Sequence, residues 1–133
     1  MGLPGSGKTT LSKALSKEFN AIHLNADIMR NNVWTDLTYT YNDRLTQAKR
    51  MGSLSDMLNQ QGYNTIADFV CPTNETRSVF GKAFIIFIDR LEKSKYEDTN
   101  KLFEKPIDVD VIIHDSLTIE EEVFIIKKKL IND

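Results

Sequence analysis

Eight residues near the start of the chain, Gly2-Leu3-Pro4-Gly5-Ser6-Gly7-Lys8-Thr9, satisfy G-x-x-x-x-G-K-[ST] and run straight into a helical pattern carried by Leu11, Ala14 and Leu15. Glycines at these spacings let successive backbone N–H groups turn inward without a side-chain clash. The helix that starts there adds its free N–H groups and the positive end of its dipole. Such a cup suits phosphate oxygens. Lys8 is expected to reach the β- and γ-phosphates of ATP, and Thr9 to offer its hydroxyl to Mg²⁺. The predicted nucleotide site is therefore Gly2, Leu3, Pro4, Gly5, Ser6, Gly7, Lys8, Thr9 and Thr10.

The rest of the chain alternates strand and helix signals. Ala21 to Leu24 reads as a short strand, followed by a helical piece around Ile28 to Asn32. From Asn42 to Gln61 the apolar residues Leu45, Ala48, Met51, Leu54 and Leu58 share a helical face. Thr40 and Asp43 stand at capping-box spacing before it, and Gly62 is a C-terminal stop. Further strands are expected at Asn64–Phe69, Ala83–Ile88 and Val109–Ile113. The apolar run in the middle one suits a parallel strand covered on both faces. A last helix places Ile119, Val123, Ile126 and Leu130 on one face, behind a capping box of Thr118 and Glu121. The predicted fold is α/β, a phosphate-loop NTPase-like and mainly parallel sheet flanked by helices.

A phosphate loop normally follows a buried strand, yet here the motif begins at the second residue. The expectation is a single phosphate-loop domain over residues 1–133 whose first strand is missing, either because the chain is truncated at its N-terminus or because another segment fills the slot. An unfilled slot would leave buried backbone groups unpaired at about 1 to 3 kcal/mol each.

Composition limits the partners. Lys and Arg total 17 against 19 Asp and Glu, a net charge of -2, so no broad nucleic-acid surface is expected. The single cysteine, Cys71, rules out an internal disulfide. With only His23 and His114 beside it, a structural zinc site is disfavoured. No stretch approaches the roughly 20 apolar residues of a membrane span, and no signal peptide is visible. The reading is a cytoplasmic protein without a membrane role, and a homodimer is left open. His23 and His114 read as packing or surface residues rather than catalysts.

The middle of the chain carries Leu24-Asn25-Ala26-Asp27-Ile28-Met29-Arg30, then Asp36-Leu37-Thr38-Tyr39, Asn42-Asp43-Arg44, Lys49-Arg50-Met51-Gly52 and Phe69-Val70-Cys71-Pro72. In this series the chain resembles the adenylylsulfate kinase family, whose members show LDGDNIR, DLGFSEEDR, ENIRRIG and FISPY motifs in the same order. The resemblance implies phosphoryl transfer from MgATP to the 3'-hydroxyl of adenosine 5'-phosphosulfate. It implies that Asp27 contacts and helps deprotonate that hydroxyl, which with Lys8 makes the catalytic pair. Arg30 and Arg44 match arginines that hold the phosphosulfate. Tyr39 stands where the family has an aromatic ring that stacks on the acceptor's adenine, and Tyr96 is a candidate second ring. Gln47 takes the place of a substrate-binding asparagine, and Phe69, Val70 and Cys71 match the wall of the acceptor pocket.

Three departures bear on function. Asn25 replaces the first carboxylate of LDGD, and Asp68 is expected to restore that charge as a Mg²⁺ ligand from a neighbouring strand. The SPYR-like segment becomes Cys71-Pro72-Thr73-Asn74, with Arg77 at the next basic position. The basic lid is reduced to KSKYEDTNKLF over Lys93–Phe103, where Lys95 and Lys101 are the candidate cations. Two alternatives stay open: a kinase for another nucleotide, sugar or polynucleotide acceptor, and a catalytically degenerate nucleotide-binding protein.

Overall fold

The computed structural model describes residues 1–114 and 117–132. Its elements follow the expected alternation: α1 (Lys8–Glu18), β1 (Ile22–Asn25), α2 (Ala26–Asn32), α3 (Tyr41–Gln60), β2 (Thr65–Asp68), α4 (Asn74–Phe80), β3 (Ile86–Ile88), α5 (Glu97–Leu102), β4 (Val111–Ile113) and α6 (Ile119–Asn132). Both strand pairs are parallel. β1 lies beside β2 with Ile22 opposite Thr65 and Asn25 opposite Asp68, and β3 lies beside β4 with Ile86 opposite Val111. That register puts the ends of β1 and β2, where Asn25 and Asp68 sit, at one edge.

Local chemistry explains the element ends. The Thr40 hydroxyl accepts from the Asp43 N–H and starts α3. The second half of the predicted box is absent, because the Asp43 carboxylate turns to the backbone and hydroxyl of Thr38 at 2.8 and 2.6 Å. α3 stops where Gly62 adopts φ +93 and its N–H returns to the Asn59 carbonyl at 3.0 Å. At α6 both halves of the box form, Thr118 N–H to Glu121 and Glu121 N–H to the Thr118 hydroxyl. β3 and β4 are shorter than the apolar runs that predict them. The Asp110 carboxylate takes the Ile85 N–H at 2.7 Å, and the Ile85 carbonyl accepts from both Asp110 and Val111, so the ladder opens only there.

Two apolar clusters hold the layers together. Leu11, Leu15, Ile88, Val111, Ile113 and Ile126 form one beneath β3 and β4, and Leu24, Ala26 and Met51 centre the other beneath β1 and β2. α6 turns most of its predicted face inward, with Val123 packed on the first cluster beside Ile126. Ile126 is buried, Leu130 is 38% exposed, and the side chain buried one turn before Ile126 is Glu122. α3 and α4 pack at a glycine, for a Cβ on Gly52 would stand 2.0 Å from the Phe80 carbonyl oxygen.

The strands form two separate two-stranded sheets. β2 and β3 face each other across an apolar cleft of about 640 Å³, floored by α1 and α6. Met1 sits at its rim, its nitrogen donating to the Ile86 carbonyl at 2.8 Å and its carbonyl accepting from Ile88 at 2.9 Å. Among the described residues no strand lies between β2 and β3.

Candidate active site

The phosphate loop connects Met1 to α1 through three left-handed or near left-handed glycines, of which two are strictly required. A Cβ on Gly2 would meet the Ile88 carbonyl oxygen at 2.7 Å, and Gly7 at φ +96 is the N-cap of α1. No side chain caps α1 and no acidic residue stands in its first turn, so its leading N–H groups and positive dipole end are free for an anion. Lys8 Nζ donates to the Leu3 carbonyl at 3.0 Å, folding its side chain back along the loop. Burial pushes the Lys8 ammonium below its ordinary value, while the charges of Asp68 and Asp27 oppose that shift. The charges of two carboxylates from different elements thus reach Lys8.

Asp68 is the hub of the site. It is buried at the end of β2, and its Oδ2 accepts from the Thr9 hydroxyl at 2.9 Å and from Asn25 Nδ2 at 2.9 Å, with His23 Nε2 at 3.0 Å. Asn25 also caps α2 through its Oδ1, which takes the Ile28 N–H at 3.0 Å. The residue that removed a carboxylate from β1 therefore donates to the carboxylate on β2. Asp68 Oδ1 is buried and has no hydrogen-bond partner. An orphaned buried carboxylate oxygen beside a threonine hydroxyl fits Mg²⁺, which takes one or two protein oxygens and completes its octahedron with phosphate and water. The Thr9 hydroxyl can keep its proton on Asp68 and still offer a lone pair. Among the described residues no three His, Cys, Asp or Glu side chains gather into a self-sufficient metal site. A cation held by Thr9 and Asp68 would need further oxygens, such as those of a nucleotide and water.

The predicted acceptor residues lie on α2, α3 and the turn between them. Asp27 opens α2 with its side chain 74% exposed, and Arg30 NH1 reaches its Oδ1 at 3.4 Å. The Arg30 side chain is only 9% exposed; its NH2 donates to Gln47 Oε1 and its guanidinium lies over the Tyr39 ring at 4.1 Å. Arg44 approaches the same ring at 5.7 Å, donates to the Tyr39 carbonyl at 3.0 Å and to Thr99 Oγ1 at 3.0 Å, and pairs with Asp98 at 3.7 Å. Asp27, Arg30, Arg44 and Tyr39 thus form one connected group. Gln47 is buried with both ends of its amide engaged, the nitrogen on the Ala26 carbonyl at 2.9 Å. It positions Arg30 and α2 in this structure.

The remaining candidates are more scattered. Phe69 packs against Phe80 at 5.7 Å and joins the Met51 cluster. Cys71 is buried at φ +49, its thiol pushed up by burial and 3.7 Å from Thr76 Oγ1. Val70 lies between them, half-buried. Arg77 is spent on this turn, donating to the Cys71 and Pro72 carbonyls at 3.2 Å each. Tyr96 is the N-cap residue of α5, half exposed, with Lys95 at 5.3 Å from its ring centroid. Among the described residues no ring-to-ring contact joins Tyr39 to Tyr96.

Three residues join the site without having been predicted there. His23 reads from sequence as a packing or surface residue, but its ring is on Asp68; it shares a strand face with Asn25, two residues on, and that period was the available signal. Arg90 follows β3, donates to the Ser6 carbonyl at 3.3 Å, and pairs with Glu122, whose side chain is 0% exposed. No local pattern links Arg90 to Glu122, since the two belong to different elements.

A parallel α/β scaffold with a glycine-rich phosphate cup, a lysine and a threonine in it, and a carboxylate on a neighbouring strand defines the phosphate-loop kinase fold. The chain belongs to the adenylylsulphate kinase family, whose sequence model matches residues 1–113. An adenylyl-sulfate kinase of Oceanobacillus iheyensis is 36% identical over 81 residues, covering 57% of this chain and 41% of that protein. One from Paraburkholderia xenovorans is 26% identical over 152 aligned positions, covering 92% and 85%. The chain thus spans well under half of the first relative and 65% of another, from a Synechococcus. Among solved structures, the Mycobacterium tuberculosis APS kinase in complex with AMPPNP and APS superposes with a TM-score of 0.88 at 18% identity, covering 98% of this chain and 94% of that one. A sugar kinase from Janibacter gives 0.76 at 16% identity, covering 98% and 91%. These two likenesses establish the fold. No helix among the described residues is long and apolar enough to cross a membrane.

Proposed function

We propose that this site transfers the γ-phosphoryl group of ATP to the 3'-hydroxyl of adenosine 5'-phosphosulfate. The observation that carries the reading is the placement of Asp27: it stands two residues after Asn25, which donates to Asp68 beside Thr9 of the phosphate cup, and its carboxylate touches Arg30 of the arginine and tyrosine group. Donor and acceptor halves meet at that residue. The free N–H groups of the loop and α1 hold the triphosphate, and Lys8 releases the Leu3 carbonyl to reach its outer phosphates. Thr9 and Asp68 are the residues that would hold Mg²⁺, whose charge offsets that of the phosphates. Arg30 and Arg44 bind the acceptor's anionic end. Asp27 orients the acceptor hydroxyl and accepts its proton as that oxygen bonds to the γ-phosphorus; the bond to the β–γ bridging oxygen breaks and ADP leaves.

A second reading rests on Asp98. Its carboxylate pairs with Arg44 and reduces the positive charge that a phosphosulfate would meet. This favours a less anionic acceptor, such as a sugar. The test is ADP release from MgATP with adenosine 5'-phosphosulfate, nucleosides and sugars supplied in turn. Stimulation by adenosine 5'-phosphosulfate alone is expected. Stimulation by an uncharged acceptor instead would replace the first reading with the second, and nucleotide binding without turnover on any acceptor would overturn both.

A further inference from the structure

Helix α6 carries apolar residues on two faces. Glu122, Val123 and Ile126 turn to the core, yet on the outer face Phe124 is 65% exposed and Ile131 74%. With 3.6 residues per turn, Glu120, Phe124, Lys128 and Ile131 fall within an arc of about 80° on that outer face. Phe124, Lys127, Lys128 and Ile131, with Asn132, line a shallow hollow of about 350 Å³. The first four are spaced i, i+3, i+4 and i+7, the spacing of a socket that takes a side chain from a facing helix.

Charge on this face is antisymmetric about Phe124. Glu120 and Glu121 stand four and three residues before it, and Lys127 and Lys128 three and four residues after it. Glu121 accepts the Thr118 N–H, and Lys127 pairs with Glu18 of α1. Among the described residues Glu120 and Lys128 have no ion-pair partner.

We propose that the outer face of α6 pairs with α6 of a second copy of this chain, antiparallel, about a two-fold axis at Phe124. In that register Glu120 and Glu121 of each copy come opposite Lys127 and Lys128 of the other, and Phe124 meets Phe124. The same patch serves both copies, as a closed two-fold contact requires. A parallel pairing would set lysine against lysine. A lipid surface would meet the two glutamates together with the lysines, whereas a second copy neutralises both signs. Two helices of 14 residues touch over about 21 Å. The area lies below the roughly 1,200 Å² of a standard interface, so the dimer is weak, with a Kd of about 0.1 mM.

Sedimentation equilibrium of the intact chain, over concentrations spanning that Kd, tests this. Phe124→Ser should weaken the dimer at least tenfold. Glu120→Lys with Glu121→Lys makes both ends of the contact positive, and Lys127→Glu with Lys128→Glu makes both negative. Each of these double variants should lose at least tenfold in self-association while keeping the far-UV dichroism of the folded chain. Mixed together, the two should form a heterodimer about as tight as the wild-type dimer, and Phe124→Ser added to both should abolish it. The proposal is overturned if the chain stays monomeric throughout, or if its dimer withstands all these changes, because another face would then join the copies. Binding to phosphatidylglycerol vesicles through Phe124, without self-association, would assign the face to a membrane and overturn the proposal equally.

Discussion

The Thr9 hydroxyl donates to Asp68 Oδ2 at 2.9 Å across 59 residues of chain, joining the first turn of α1 to the end of β2. Sheet register makes this contact available, because β1 and β2 end together at Asn25 and Asp68. Three donors converge on one oxygen of Asp68 and none on the other. Asp68→Asn retains the shape and removes the charge. It should weaken Mg²⁺-dependent nucleotide binding by roughly ten- to a hundredfold, the worth of about 1.5 to 3 kcal/mol for a bond to a charged group. Binding of metal-free ADP should change much less. Titration of ADP with and without Mg²⁺ checks both arms.

Lys8 combines a charge proposed to hold phosphate with a folding penalty. Burial holds its ammonium below the ordinary value of 10.5, so the folded chain gives up this proton at lower pH than the unfolded chain does. The penalty is complete below the folded value and fades as pH rises from there toward 10.5, so this residue makes stability climb with pH in that window. Lys8→Met should flatten that climb, raise the unfolding midpoint at neutral pH, and abolish turnover. Urea denaturation at several alkaline pH values, beside an ADP-release assay, measures the two opposite effects.

Local signals in the chain sufficed for much of this structure. The glycine spacing of the phosphate loop, the box at Thr118 and Glu121 and the strand and helix order were readable, because each depends on residues a few positions apart. The connected group of Asp27, Arg30, Tyr39 and Arg44, proposed as the acceptor site, was suggested by motif order. What escaped depends on tertiary pairing. His23 gains its role from a carboxylate on the next strand, and Gln47 is buried because α3 carries it under Arg30. The apolar spacing of α6 brought Val123 and Ile126 to the core, but the burial of Glu122 beside them escaped, since it depends on Arg90 from another element.

That Arg90 and Glu122 pair should behave as a unit. Removing either member alone, by Arg90→Ala or Glu122→Ala, leaves a buried charge and should cost about 3 to 5 kcal/mol. Arg90→Met with Glu122→Leu should be close to wild type in stability. The double variant still loses the donor to the Ser6 carbonyl, which fixes the peptide plane presenting the Gly7 N–H. ADP affinity should fall about two- to tenfold, as for one lost hydrogen bond. A double-mutant cycle by urea denaturation, with ADP titration of the double variant, checks this.

Gly52 tests the packing of α3 on α4. In a solvent-facing helix, glycine to alanine gains about 1 kcal/mol. Here the added Cβ would stand 2.0 Å from the Phe80 carbonyl oxygen, and the two helices must separate. Gly52→Ala should therefore lose about 1 to 3 kcal/mol, read as a lower urea midpoint. A gain would show that α4 does not press on α3 at this point.

The most direct measurement is titration calorimetry of MgADP and a non-hydrolysable MgATP analogue into the intact chain and into Lys8→Ala. One-to-one binding to the chain is expected, stronger for the triphosphate, with at least a tenfold loss in Lys8→Ala. Equal affinity in the two proteins, or no heat from either nucleotide, would contradict it.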